Sequence, residues 1–130
     1  MAKQGRADLH MHTSASDGWP SAKELVDHAK HLSLDVIAVT DHDTIEGSLE
    51  LQRDHASERV PISVEWTVPF HGGFFHLGVH NLRLRFAPTL VAALSAYTQH
   101  PDVACLPDLL DTLQDDRDTL VGEHQRVLPR

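Results

Sequence analysis

Histidine and carboxylate side chains occur in short groups through the first part of the chain, and such groups are typical of metal sites. Histidine is the commonest metal ligand and also shuttles protons near neutral pH. The sequence contains 11 histidines, as many as its lysines and arginines together. Solvated surface histidines would give the same composition, so the spacing of the histidines has to decide between a metal site and a polar surface.

The first group ends a predicted β-strand. Residues 6–12 alternate between polar and apolar side chains, which places Asp8, His10 and His12 on one face of the strand. Alternate strand residues lie about 6.5–7 Å apart, so the two imidazoles can converge on one metal ion or on neighbouring ions. A pair of solvated strand histidines is the alternative, but the glycine-containing loop around Asp17 favours a functional site.

The second group follows the most hydrophobic segment of the chain, residues 36–39, which suits a parallel strand covered on both faces. In parallel α/β folds, functional groups gather beyond the carboxyl ends of the strands. Asp41, His42 and Asp43 lie there, and burying them costs desolvation free energy unless a cation compensates. We predict that His42 binds a metal ion and that Asp41 or Asp43 orients it. Helix-capping aspartates are the alternative.

The third group interrupts two further apolar strands. Glu65 lies within one of them, where a lone carboxylate is disfavoured. His76 and His80 share a face of the next strand. Each of these residues alone is more often a satisfied polar group of the core. Taken with the first two groups, Glu65 and His76 are better explained as metal ligands, and the role of His80 stays open. The histidines that fall on predicted helix faces are interpreted as solvated: His28, His31 and His55.

The elements that position these groups follow from hydrophobic periodicity and turn residues. Strands are predicted at residues 6–12, 35–40, 60–68 and 74–79, with a turn at 71–73, and helices at 21–33, 44–57, 88–97 and 108–120. Ser21 and Glu24 have capping-box spacing at the start of the first helix. The alternation of strands and helices predicts an α/β fold with parallel pairing and right-handed crossovers.

Composition limits the classes of partner. The net charge is −8 with neutral histidines, so no basic surface is available for a nucleic acid backbone or an anionic membrane. Nucleic acid is expected only as a substrate of a site whose charge bound cations reverse. Cys105 is the one cysteine of the sequence, which excludes a disulfide framework, and the sequence has no apolar run of transmembrane length. These features predict a cytoplasmic protein without a membrane partner.

Three segments together resemble the polymerase and histidinol phosphatase (PHP) domain family. Residues 8–18 resemble its first motif almost letter for letter, and residues 39–47 resemble its second motif. The pair Val64-Glu65, followed by residues 75–78, resembles the third motif more loosely, because Ser63 stands where a glycine often precedes the Val-Glu pair. The resemblance covers residues 6–82 well and the helical part to about residue 120 weakly.

The resemblance implies a distorted α/β barrel of about seven strands, of which this chain would supply the N-terminal portion with about four mainly parallel strands. It also implies metal-dependent hydrolysis of phosphate esters, by a hydroxide that up to three zinc, manganese or iron ions activate. No catalytic side chain is therefore assigned, although Arg83 and Arg85 could hold an anion. The ligands that carry over by motif position, with Glu65 as a bridge between two metals, are His10, His12, Asp17, His42, Glu65 and His76.

The resemblance weakens towards the C-terminus. Family members continue with an apolar strand that ends in His-Pro and with a later Asp-x-His pair, and we expect residues 122–130 to fray instead of continuing such a strand. His100 is interpreted as a helix end, and His124 is a poor substitute ligand. We therefore predict one truncated domain over residues 1–130, with residues 83–121 helical. As an incomplete barrel, it should either self-associate or be marginally stable.

Two functions follow from this reading. The first is a metal-dependent phosphoesterase that acts on small phosphomonoesters or nucleotides. The alternative is a non-catalytic metal-binding module, or a fragment that needs a partner chain.

Overall fold

The computed structural model describes residues 4–55, 60–115 and 118–123. Its elements, in chain order, are β1 (Ala7–Met11), α1 (Ala22–His31), β2 (Val36–Val39), α2 (Glu46–His55), β3 (Ile62–Phe70), β4 (Gly73–Leu82), α3 (Ala87–Gln99), α4 (Leu106–Gln114) and β5 (Leu120–Glu123). A short 3₁₀ helix at Val103–Cys105 precedes α4. None of the described helices has the length and the apolar character that a membrane span requires.

The described strands form two small sheets. β1 pairs with β2 in parallel, and β3, β4 and β5 form an antiparallel sheet in that order. A single parallel bridge between His42 and Glu65 connects the end of β2 to β3. The α/β class is therefore confirmed. The expectation of four mainly parallel strands is wrong, because five strands are described and only β1 and β2 form a parallel ladder.

The antiparallel pairing of β3 and β4 has a local cause. His71 and Gly72 both have positive φ, 47° and 80°, in the connection between the two strands. A two-residue loop with positive φ at both positions turns the chain back on itself with the twist that a β-hairpin needs. A parallel strand would instead need a crossover connection of a dozen or more residues, which this short loop cannot supply.

Two buried clusters hold the strands in place. One packs Ala29 of α1 and Leu51 of α2 against Val39 of β2. The other packs α3 and α4 against β3 and β4, with Trp66 and Leu94 fully buried. The Trp66 indole nitrogen donates hydrogen bonds to the Leu94 carbonyl at 2.9 Å and to Thr98 Oγ1 at 3.1 Å.

The alternation of β3 explains how an acidic residue fits an apolar strand. Val64, Trp66 and Val68 point into the cluster formed with α3 and α4. Successive strand residues point to opposite faces, so Glu65 and Thr67 point away from that cluster. The carboxylate is consequently buried on the other face of the sheet, where β1 and β2 end.

The C-terminal part differs from the prediction. The last predicted helix, 108–120, is observed as Leu106–Gln114, and Leu120 begins β5 with an exposed side chain instead of lying inside a helix. The expected fraying of the tail is also wrong for Gly122 and Glu123, since both pair with β4. The edge of β4 supplies the hydrogen bonds of this strand, which local periodicity cannot reveal. Residues 56–57 of the second predicted helix and residues 124–130 lie outside the described residues.

Candidate metal centre

The Glu65 carboxylate lies at the centre of a group of imidazoles. Only 2% of Glu65 is exposed. Its Oε2 atom lies 3.1 Å from His12 Nε2, 3.6 Å from His10 Nε2 and 3.5 Å from His42 Nδ1. Its Oε1 atom lies 3.5 Å from His76 Nδ1. The two oxygens of one carboxylate therefore face different sets of nitrogen atoms.

Asp17 closes the other side of the group. Its Oδ2 atom lies 3.2 Å from His42 Nε2, and its Oδ1 atom lies 3.6 Å from His12 Nδ1. The structure thus brings together the side chains of all the predicted ligands. Their ligand atoms fall into three overlapping groups, each within 4.8 Å: His10, His12 and Glu65; His12, Asp17 and His42; His42, Glu65 and His76.

Strand ends account for this convergence. His10 lies in β1, His12 follows it, and His42 follows β2. Around the bridge to β3, Asp43 N donates to the Glu65 carbonyl at 3.0 Å and Glu65 N donates to the Asp41 carbonyl at 2.9 Å. These bonds fix the end of β2 beside the middle of β3, so the His42 and Glu65 side chains meet.

The residues fit a metal ion. Among the described residues, no hydrogen bond reaches His12 Nδ1 or Glu65 Oε2, although both atoms are buried. Leaving such atoms unsatisfied costs about 1–3 kcal/mol each. The Nε2 atoms of His10 and His12 lie 3.1 Å apart, so at most one of them can donate a proton to the other. Cations that accept lone pairs from His12 Nδ1 and Glu65 Oε2 would satisfy both of these buried atoms.

The chemistry of the donors agrees with this fit. Imidazole nitrogens combined with carboxylate oxygens suit zinc, manganese and iron. Burial lowers the pKa of His12 below its usual value, and the negative charge of Glu65 offsets only part of this effect. His12 is therefore neutral near pH 7, the form that binds a metal. Metal binding by the six residues stays a prediction.

Asp41 acts on the loop that carries Asp17. It is fully buried and accepts hydrogen bonds from Thr13 N at 2.6 Å, Thr13 Oγ1 at 2.6 Å and Ser16 Oγ at 2.7 Å. Among the hydrogen bonds of the described residues, none joins Asp41 or Asp43 to His42, which sequence reasoning expected them to orient. Asp41 instead fixes the turn between His12 and Asp17, a role that the spacing of residues did not indicate.

Two glycines make room for this arrangement. A Cβ atom on Gly18 would lie 2.3 Å from the His12 carbonyl oxygen, and one on Gly47 would lie 2.4 Å from Asp41 Oδ2. Glycine is unfavourable inside a helix, but Gly47 is required here because α2 passes close to the Asp41 carboxylate.

Asp43 supports the opposite side of the cluster. Its backbone has a positive φ of 56°, and its carboxylate accepts hydrogen bonds from Thr67 N and Thr67 Oγ1, both at 2.7 Å. Thr67 lies opposite His76 in the β3–β4 ladder. Asp43 therefore anchors the part of the sheet that carries His76.

The remaining histidines and arginines lie elsewhere. His80 Nδ1 lies 3.1 Å from Ser63 Oγ, and burial lowers its pKa. His100 is the C-cap of α3, and His28 and His31 are exposed, as predicted. The side chain of His55 and all of His124 lie outside the described part of the chain. Of the candidate anion-binding arginines, Arg83 contacts Asp118 at 3.8 Å and Arg85 lies over the Phe86 ring.

Comparisons with known proteins show what the chain is similar to. The chain is 32% identical over 116 residues to a 5′–3′ exoribonuclease from Haemophilus influenzae, a match that covers 89% of the chain and 38% of that relative. An amidohydrolase from Chromobacterium violaceum, solved with bound sulfate and no metal, superposes with a TM-score of 0.61 at 27% identity, over 73% of this chain and 34% of that one.

A protein described as a metal-dependent phosphoesterase from Bifidobacterium adolescentis superposes with a TM-score of 0.50 at 23% identity, over 89% of this chain and 46% of that one. At that identity, it shows a shared fold alone. The chain spans less than half the length of each of these proteins. The sequence profile of the PHP domain matches residues 8–77, more than half of the chain and all six clustered residues. The chain therefore belongs to the PHP domain family.

Proposed function

We propose that this chain carries the metal centre of a metal-dependent phosphoesterase that acts on small phosphomonoesters or nucleotides. The observation that carries the proposal is the buried Glu65 carboxylate with four imidazoles around it and Asp17 beside them. The similarity to an exoribonuclease, an enzyme that acts on phosphodiesters, supports the choice of phosphate esters.

The ligand atoms divide between the two carboxylate oxygens. His10, His12 and His42 face Glu65 Oε2, whereas His76 faces Oε1. We infer that Glu65 would hold divalent ions through both of its oxygens, together with the imidazoles that face each of them. Such ions would neutralise phosphate charge, polarise the phosphorus and lower the pKa of a water molecule towards neutrality.

The nearby hydroxyl groups are engaged in structural hydrogen bonds. Thr13 Oγ1 and Ser16 Oγ both donate to Asp41, and Thr67 Oγ1 donates to Asp43. Each of these carboxylates also accepts a hydrogen bond from a backbone N–H group, so these hydroxyl groups help to fix the loop and the sheet. This supports attack by water instead of by one of these side chains.

Phosphate release tests the proposal. We expect release from a nucleotide with manganese or zinc present, and a loss of at least about 100-fold in the His42→Ala variant, since changing residues that merely support a metal ligand already costs about 10–100-fold. His31→Ala, which removes an exposed histidine of α1, should retain full activity. Equal rates of phosphate release for wild type, His42→Ala and a chelated sample would point to contamination and contradict the proposal. Stoichiometric metal binding without any hydrolysis would favour the non-catalytic module.

We also propose that the chain self-associates. Among the described strands, β1 pairs only with β2 and β5 pairs only with β4, so each has an edge without a partner strand. Leu9 and Leu120 on these two strands are largely exposed. Unpaired strand edges with apolar side chains favour association with another chain. We expect a dimer in sedimentation equilibrium at micromolar concentration, whereas a monomer over the whole concentration range would refute self-association.

A further inference from the structure

Two side chains of α3 bond to the edge of β3 that faces away from β4. The Thr98 hydroxyl donates to the Thr67 carbonyl at 2.6 Å, and the Tyr97 hydroxyl donates to the Pro69 carbonyl at 2.7 Å. Among the described strands, β3 pairs with β4 on one side and has only a single bridge to β2 on the other. Beyond that bridge, side chains of α3 therefore take the place of a neighbouring strand.

Thr67 is held at all three of its polar atoms. Asp43 accepts hydrogen bonds from its amide nitrogen and from Oγ1, both at 2.7 Å, while Thr98 donates to its carbonyl. The two partners lie 24 and 31 residues away from Thr67 in the chain. A displacement of Thr67 would therefore break bonds to two distant segments at once.

The Thr98 hydroxyl has a defined orientation. A helical threonine commonly donates to the carbonyl four residues earlier, and the Leu94 carbonyl lies 3.1 Å from Thr98 Oγ1. The Thr67 carbonyl is closer, at a distance within the preferred range of an O–H···O bond. Thr98 Oγ1 also accepts the indole N–H of Trp66 at 3.1 Å. The indole thus occupies the acceptor side of the hydroxyl, and the proton is directed to the strand.

Thr67 borders one of the three groups of predicted ligands, that of His42, Glu65 and His76, here called the His76 group. Thr67 lies opposite His76 in the ladder, where facing Cβ atoms are about 4.5–5.5 Å apart. It follows Glu65 by two residues on the same strand face. Its partner Asp43 directly follows His42 in the chain. Each residue of the His76 group is therefore connected to Thr67 by the chain or by the ladder.

We propose that Thr98 is a positioning residue that, together with Asp43 and through Thr67, fixes the His76 group and thereby sets its affinity for metal. This role depends on the metal centre of the proposed function but not on hydrolysis. It assigns a function to α3, which lies outside residues 8–77, the part of the chain that the PHP profile matches. The ligands at the end of β1 adjoin a different network, centred on Asp41, so we expect them to keep their positions without Thr98.

The position of His76 can be followed by NMR in the metal-free full chain. The ring resonances of His76 and His10 are identified by their absence in the corresponding alanine variants. We expect Thr98→Val, which removes the hydroxyl and keeps the shape, to shift the His76 resonances and leave those of His10 unchanged. Thr98→Ser, which restores the hydroxyl, should return them to their wild-type positions. Thr112→Val is the matched control and should shift neither, because the Thr112 hydroxyl donates to the Asp108 carbonyl of its own helix at 2.9 Å.

Zinc affinity, measured in competition with a chelator, gives the consequence for metal binding. We expect Thr98→Val to weaken zinc binding about 10-fold, at the lower end of the loss seen when a group that supports a metal ligand is changed. In the His76→Ala background the same substitution should have no further effect, whereas the loss of about 10-fold should persist in the His10→Ala background. Changes that act through one ligand are non-additive, and changes at independent sites add.

The outcomes separate this role from the metal centre itself. If wild type binds zinc while Thr98→Val changes neither the zinc affinity nor the His76 resonances, the metal centre stands and the role of Thr98 is wrong. Losses that add equally in the His76→Ala and His10→Ala backgrounds would show a general structural effect and also overturn it. If wild type binds no zinc, the metal centre and the effect on affinity are wrong, and the His76 resonances alone decide whether Thr98 positions this side chain.

Discussion

Replacing Glu65 with glutamine should remove metal-dependent activity almost completely. The substitution preserves shape but removes the charge that four imidazoles surround at 3.1–3.6 Å. Altering a group that merely supports a metal ligand costs about 10–100-fold, so losing the central ligand should lower kcat/KM by more than about 100-fold. Phosphate release measured at saturating zinc or manganese checks this result.

The same substitution should have the opposite effect on the metal-free protein. In the absence of a cation, Glu65 Oε2 lies buried without a hydrogen bond from the described residues. Removing an uncompensated buried charge should raise the free energy of unfolding by about 1–3 kcal/mol. Glu46→Gln, at an exposed position in the first turn of α2, is the matched control and should change neither property. A fall in stability of the metal-free Glu65→Gln protein would show that the carboxylate has a structural role instead.

The second large effect concerns Asp41. Asp41→Ala leaves three donors without their acceptor: the buried Thr13 N and Thr13 Oγ1, and the partly buried Ser16 Oγ. Each unsatisfied buried group costs about 1–3 kcal/mol, and part of the loss is recovered by water, so we expect about 3–5 kcal/mol lower stability. Urea unfolding of the metal-free chain measures the difference.

Metal affinity should fall together with stability, since Asp41 holds the loop that carries Asp17. We expect zinc to bind about 10–100-fold more weakly in the folded fraction of Asp41→Asn, which is the milder change. Asp27→Ala is the control. It removes an exposed carboxylate that pairs with Lys23 at 3.4 Å, and such a surface pair contributes at most about 1 kcal/mol to stability. Wild-type zinc affinity in Asp41→Asn would show that the loop keeps its position without this network.

Sequence reasoning found the candidate ligands because each breaks a strong local pattern. His10 and His12 alternate on a strand, His42 follows a buried strand, and Glu65 interrupts an apolar one. Since strand ends of an α/β fold meet at one edge, their proximity could be inferred without knowledge of the full topology. The capping box that begins α1 at Ser21 was equally predictable, because it depends on residues three apart.

What sequence reasoning missed depends on contacts between distant segments. The strand Leu120–Glu123 exists because the edge of β4 receives it, and its own residues carry no β-pattern. The acceptor role of Asp41 depends on a loop 25–28 residues away in the chain. Asp43 likewise meets Thr67, which is 24 residues distant. No spacing rule connects these residues, so only the folded chain reveals the contacts between them.

Metal analysis of the purified chain tests the central claim most directly. After equilibration with zinc and removal of free ions, the chain should retain at least one ion per molecule through His10, His12 and Glu65. His12→Ala should lose most of that metal, because it removes the imidazole that contacts Glu65 at 3.1 Å and Asp17 at 3.6 Å. Near-zero metal in wild type and variant alike would contradict the account.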